Sequence, residues 1–194
     1  FYAYFTLGLT HILDLQGYDH MLFLLVLIAG INVNKWKQLF ALITAFTLGH
    51  SITLAIATIY KPVLPSKLVE FLIPITIMLT GIYNLTAEES NIKLKLSITT
   101  SFGLIHGMGF ASYLSSLLPK ESSIWQPLLS FNLGVETGQF VFSGIIIAFI
   151  LLAQFTLKNA IHRTQNIISV VGVVISIFLA LQTGPIYEKL QSSF

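Results

Sequence analysis

Six side chains in this sequence combine metal-ligating chemistry with a place in or beside long apolar segments: His11, Asp19, His20, His50, His106 and Glu136. Four of the five histidines belong to this set; the fifth, His162, sits in a basic loop and reads as solvated surface. An ionisable group inside a bilayer costs about 3 kcal/mol on insertion scales unless it is paired or hydrated, so such residues point to function by default. The densest group opens the stretch HILDLQGYDHMLFLLVLIAG, residues 11–30, where His11, Asp14, Asp19 and His20 run directly into an unbroken apolar run. The chain has no cysteine. Thiolate sites, disulfides and cysteine nucleophiles are therefore excluded. A donor set of imidazole and carboxylate without sulfur suits borderline divalent ions such as nickel, cobalt or zinc.

Each group also has a plainer reading. Asp19 near a helix start interacts well with the helix dipole whether or not a metal is near. In residues 37–60, Thr44, Thr47, Ser51 and Thr58 share one helical stripe beside His50. That pattern also fits a histidine glued between helices by hydroxyls. In residues 94–118, Thr99, His106 and Tyr113 lie on one line, and Gly103 and Gly107 form a small-xxx-small pair. Those glycines read first as a close helix contact. In FNLGVETGQFVFS, residues 131–143, the spacing of Asn132, Glu136, Gln139 and Ser143 puts four polar groups on one helix face. A carboxylate there requires a cation, a proton or water; a protonated Glu136 bonded to a neighbour is the bland alternative. The joint occurrence of these groups, rather than any one of them, argues for a site.

The elements that must position them are membrane helices. The chain has 194 residues, 55% hydrophobic and 9% charged, with mean hydropathy +0.83. A soluble domain carries about 25% charged residues, so this composition cannot cover a water-facing surface. The expectation is an all-α polytopic bundle, residues 1–194 forming one integral membrane domain. Six spans of about 20 apolar residues are expected near 17–34, 37–60, 68–86, 94–118, 126–156 and 164–183. Residues 1–14 would reach only about 20 Å as a helix, which fits a half-helix, an interfacial helix or the end of a shortened span. The chain starts at Phe1 rather than methionine, which leaves room for a segment ahead of it, and nothing in it reads as a cleavable signal. The net charge is only +2, with scattered basic residues, so nucleic acid is not an expected partner. Six Lys or Arg lie in the odd loops against four in the even loops and tail, which favours cytoplasmic odd loops and an outward residue 17.

Four co-linear segments carry a resemblance: GLTHILDLQGYDHMLFLLVLIAG, TAFTLGHSITLA, FGLIHGMGFA and FNLGVETGQ, covering about residues 8 to 143. Together they resemble the HupE/UreJ family of bacterial membrane proteins. The resemblance implies a nickel/cobalt permease of about six helices in a bacterial inner membrane. It places His11, Asp19, His20, His50, His106 and Glu136 in the family's polar signature. One departure is the seven residues, ILDLQGY, between His11 and the Asp19–His20 pair, where the family commonly has five; this puts His11 in doubt as a ligand. The expected function is a permease for nickel, cobalt or zinc, with the lipid bilayer and the ion as partners. The alternative is an intramembrane hydrolase with a His/Asp-bound zinc, which would need three ligands converging on one ion and a fourth, open position. A third reading is a bundle whose polar groups only fix helix packing.

Overall fold

The described residues fold into helices only. The computed structural model describes residues 1–14, 17–60, 64–87, 91–117, 124–156 and 161–184. The side chain of His162 and the loop lysines Lys61, Lys120, Lys158 and Lys189 lie outside them. The helices are α1 (Tyr2–Leu13), α2 (Tyr18–Ala29), α3 (Trp36–Tyr60), α4 (Ser66–Thr86), α5 (Ile92–Leu117), α6 (Trp125–Thr156) and α7 (Ile161–Thr183), with a short 3-10 turn at Val33–Lys35.

The N-terminal part departs from the expected span near 17–34. Helix α1 ends where Asp14 turns extended, its N–H still donating to the Thr10 carbonyl at 2.7 Å. The Gly17 N–H then donates back to the Asp14 carbonyl at 2.9 Å, and α2 begins at Tyr18. Each helix has 12 residues, about 18 Å, too short to cross alone. Together, bent by 66°, they pass as one broken span. The expected short N-terminal helix and first span are thus a bent pair of half-length helices, a broken span or a re-entrant loop.

Among the described residues, helices α3, α4, most of α6 and most of α7 are long and apolar enough to cross a membrane, and the bent pair adds a fifth crossing if it is a broken span rather than a re-entrant loop. Helix α5 occupies the expected fourth span with 26 residues. Its Ser97, Thr99, Thr100, Ser101 and His106 keep it out of the apolar class. Thr99 and His106 are instead buried by protein while Ser97 and Ser101 stay exposed, and the helix runs along α3 in parallel register. A Cβ at Gly103 would strike the Phe46 carbonyl, one at Gly107 the His50 carbonyl, and one at Gly49 the Thr100 carbonyl. Such backbone approach requires glycine and is how membrane helices pack most closely. The small-residue pair Gly103 and Gly107 therefore serves packing, and the register it enforces brings His50 and His106 to one depth. Helices α1 and α6 meet in the same way, with Gly134 against the Phe5 carbonyl and Gly8 against the Phe131 carbonyl.

The short α2 ends inside the bundle, where its last carbonyls have few donors of their own; Val26 and Leu27 share the Gly30 N–H at 3.3 and 3.2 Å. Three neighbouring helices supply further donors. Asn84 Nδ2 donates to the Val26 carbonyl at 2.7 Å, Lys95 Nζ to the Gly30 carbonyl at 2.5 Å and Gln165 Nε2 to the Ile31 carbonyl at 2.6 Å. A cation at a helix C-terminus also complements the dipole. These bonds anchor α2 from one end; its first turn, at the other, carries the buried His20 and the part-exposed Asp19.

Candidate metal centre

His20 is the hub. It lies in the first turn of α2 and is 4% exposed. Its Nδ1 is 3.0 Å from Asp19 Oδ1, which also accepts the His20 backbone N–H at 2.9 Å. An ionised carboxylate can only accept, so Nδ1 carries the proton and Nε2 is left with a lone pair. Nothing among the described residues bonds to that Nε2.

His106 approaches from the middle of α5 and is 1% exposed. Its ring centroid is 5.2 Å from that of His20. Asp19, His20 and His106 each offer a ligand atom, and these atoms lie within 4.8 Å of one another. One ion at the middle of such a triangle is within bonding reach of all three after small side-chain movements, since Zn–N and Zn–O bonds are about 2.0–2.2 Å.

Two more imidazoles adjoin. The bend between α1 and α2 carries His11 back until its ring is 4.6 Å from His20. The seven-residue spacing is thus absorbed by the break, and His11 stays in the cluster. His50 is fully buried on α3, 5.9 Å from His20 and 6.2 Å from His11 between ring centroids. Buried polar atoms are nearly always hydrogen-bonded. Here His11 Nε2, His20 Nε2, both nitrogens of His50 and His106 Nδ1 are buried without a partner among the described residues. An unmet buried donor or acceptor costs about 1–3 kcal/mol, so this concentration is expensive unless something binds there. The surroundings are apolar: Phe23 and Phe46 flank His106, Phe110 lies against His11, and Phe46 and Phe131 stack on His50.

One side of the cluster opens on a cavity of about 510 Å³ reached by His11, His20 and His106. Asp14, Asp19 and Glu70 give its wall an acidic character. Glu70, exposed on α4, also borders an adjoining cavity of about 260 Å³ with Asp19. Sequence reasoning passed over Glu70, although it is the only acid in its apolar segment. It also passed over Thr76, whose hydroxyl lies 3.1 Å from His106 Nε2.

Glu136 stands apart from the three-residue group. Its Oε1 accepts from Thr44 Oγ1 at 2.7 Å. One turn away, the Gln139 side-chain oxygen accepts from Thr47 Oγ1 at 2.7 Å. The polar line on α6 therefore faces the hydroxyl stripe on α3, as both periodicities require. The strip leads along α3 towards His50. Gln139 Nε2, Ser143 Oγ and Asn132 Oδ1 on it are buried and unpartnered. The other side of α6 is apolar; Val135 is fully buried and packs against α1 at Gly8.

No curated protein and no solved structure matches the chain. The family model described as HupE / UreJ protein matches residues 1–182. Those residues include the whole histidine cluster and every membrane-crossing helix, and the chain is an integral membrane protein of the HupE/UreJ family.

Proposed function

We propose that the chain is a permease for a divalent transition metal, nickel, cobalt or zinc, acting as one membrane domain in a bacterial inner membrane. The ion is cargo. It enters through the acidic cavity beside Asp14 and Glu70 and binds Asp19, His20 and His106, with His11 and His50 as adjoining donors. Carboxylate lowers the cost of admitting a dication, and imidazole prefers these metals to magnesium or calcium. The strip of Thr47, Gln139, Thr44 and Glu136 continues from His50 and offers the ion or its hydration shell polar contacts beyond the cluster, with Glu136 neutralising charge. The observation that carries the reading is the group of four imidazoles with unpartnered buried nitrogens gathered at His20, which is itself bonded to the Asp19 carboxylate.

A specific feature also favours a second reading. Asp19, His20 and His106 converge on one point beside a cavity large enough for a small substrate. That is the arrangement an intramembrane metallohydrolase needs, in which a zinc with an open position lowers the pKa of bound water to about 7.

Proteoliposomes with an internal metal-sensitive dye separate the two. The permease reading expects saturable influx of cobalt, nickel or zinc that His20→Ala and Asp19→Asn abolish. Influx equal in wild type, both variants and empty vesicles refutes it. Tightly held zinc without flux, together with cleavage of amphiphilic ester or amide substrates, establishes the hydrolase instead.

A further inference from the structure

We propose that Thr76 is a positioning residue of the metal centre, one that holds His106 with Nε2 protonated and Nδ1 as its metal-donor atom. This rests on the metal-binding reading above. Thr76 lies on α4, two residues after Pro74, and is 2% exposed. Its hydroxyl oxygen is 2.7 Å from the Ile73 carbonyl oxygen and 3.1 Å from His106 Nε2. A hydroxyl has one proton. The carbonyl can only accept, and at 2.7 Å two bare oxygens would repel, so the proton lies on the bond to Ile73. The Thr76 oxygen must then accept from His106, which places the second proton on Nε2. His106 Nδ1 is left as a buried lone pair with no partner among the described residues.

The opposite tautomer is poorly supported. Its Nδ1–H would find no acceptor, and its Nε2 lone pair would face a hydroxyl whose proton is already used. Asp19 acts on His20 in the mirror sense, taking Nδ1–H and freeing Nε2. The two imidazoles thus leave different nitrogens as metal donors, Nε2 of His20 and Nδ1 of His106. Nδ1 lies closer to its own backbone than Nε2 does, so α5 offers a short arm and α2 a long one. A partner that fixes the tautomer and ring orientation of a ligating histidine typically changes metal affinity by about 10–100-fold.

The test uses the full chain in nanodiscs, with wild type, Thr76→Val and Thr76→Ser compared. Nitrogen NMR of labelled histidine, assigned with His106→Asn, reads the tautomer without metal. Chelator competition with cobalt reads affinity. The expected result is an Nε2–H tautomer in wild type and in Thr76→Ser. Thr76→Val is expected to lose that preference and to bind cobalt about 10–100-fold more weakly, while Thr76→Ser restores binding. Wild type with His106 protonated on Nδ1 overturns the proposal, whether or not Thr76→Val folds. So does a Thr76→Val variant that binds like wild type, or a Thr76→Ser variant as damaged as Thr76→Val. Wild type that binds no cobalt refutes the metal reading itself, a failure separable from these because the tautomer is read without metal.

Discussion

Replacing His50 by leucine should make the metal-free protein more stable and the metal-loaded protein relatively less so. His50 is fully buried between Phe46 and Phe131, and neither ring nitrogen has a partner. Each unmet buried polar atom costs about 1–3 kcal/mol, so the pair costs about 2–6 kcal/mol. Leucine removes both atoms at similar volume. Imperfect repacking after such a swap costs about 1.5 kcal/mol or less. The net expectation is a gain of about 1–3 kcal/mol without metal, after allowing for partners His50 finds in the unfolded state within the membrane. For a chain of this size that is a Tm increase of about 2–12 °C. Metal offsets this gain to the extent that His50 adds to binding, because an ion at 100 times its Kd adds about 2.7 kcal/mol to a protein that binds it in the folded state only. The assay is helix melting by circular dichroism in one detergent, with chelator and then with saturating cobalt, for wild type and His50→Leu. A His50→Leu protein less stable than wild type in chelator refutes the reasoning, since His50 would then contribute to packing rather than wait for a ligand.

Three further outcomes follow from the geometry. Gly107→Leu should abolish recovery of folded protein, because its side chain would meet the His50 carbonyl, whereas Gly144→Leu should be tolerated, having open space around its Cβ position; detergent-solubilised yield and gel-filtration profile check both. Lys95→Met should lower stability by about 1.5–3 kcal/mol through loss of the charged bond to the Gly30 carbonyl, read as the shift in the melting transition. Glu136→Gln should keep the bond from Thr44, and therefore the fold, while slowing metal flux at unchanged melting temperature; an unfolded variant would show that the carboxylate is structural.

What could be read in advance follows from helical periodicity, which is a property of one segment at a time. The line through Asn132, Glu136, Gln139 and Ser143 and the stripe through Thr44 and Thr47 were both visible, and they do face each other. The Gly103–Gly107 pair announced a close contact, and its partner proved to be α3. Relations between segments were hidden. His11 joins His20 because α1 ends at Leu13 and α2 starts at Tyr18 across a 66° bend, which spacing alone could not tell from an insertion that carries His11 away. Thr76 meets His106 across 30 residues of sequence, and a lone threonine in an apolar run has no signal of its own. The six expected spans exceed the four single helices that pass as spans for a related reason: hydropathy measures a helix against lipid, and Thr99 and His106 of α5 are buried in the protein.

The central claim is that the imidazole cluster with Asp19 binds a divalent transition metal inside the bundle. Elemental analysis and X-ray absorption on protein purified without chelator test it directly. The account predicts about one nickel, cobalt or zinc per chain, with a nitrogen-rich first shell at about 2.0–2.1 Å for zinc, lost in His20→Ala and in His106→Ala. Protein that holds no such metal after incubation with all three ions, or a metal whose shell is unchanged in both variants, would contradict it.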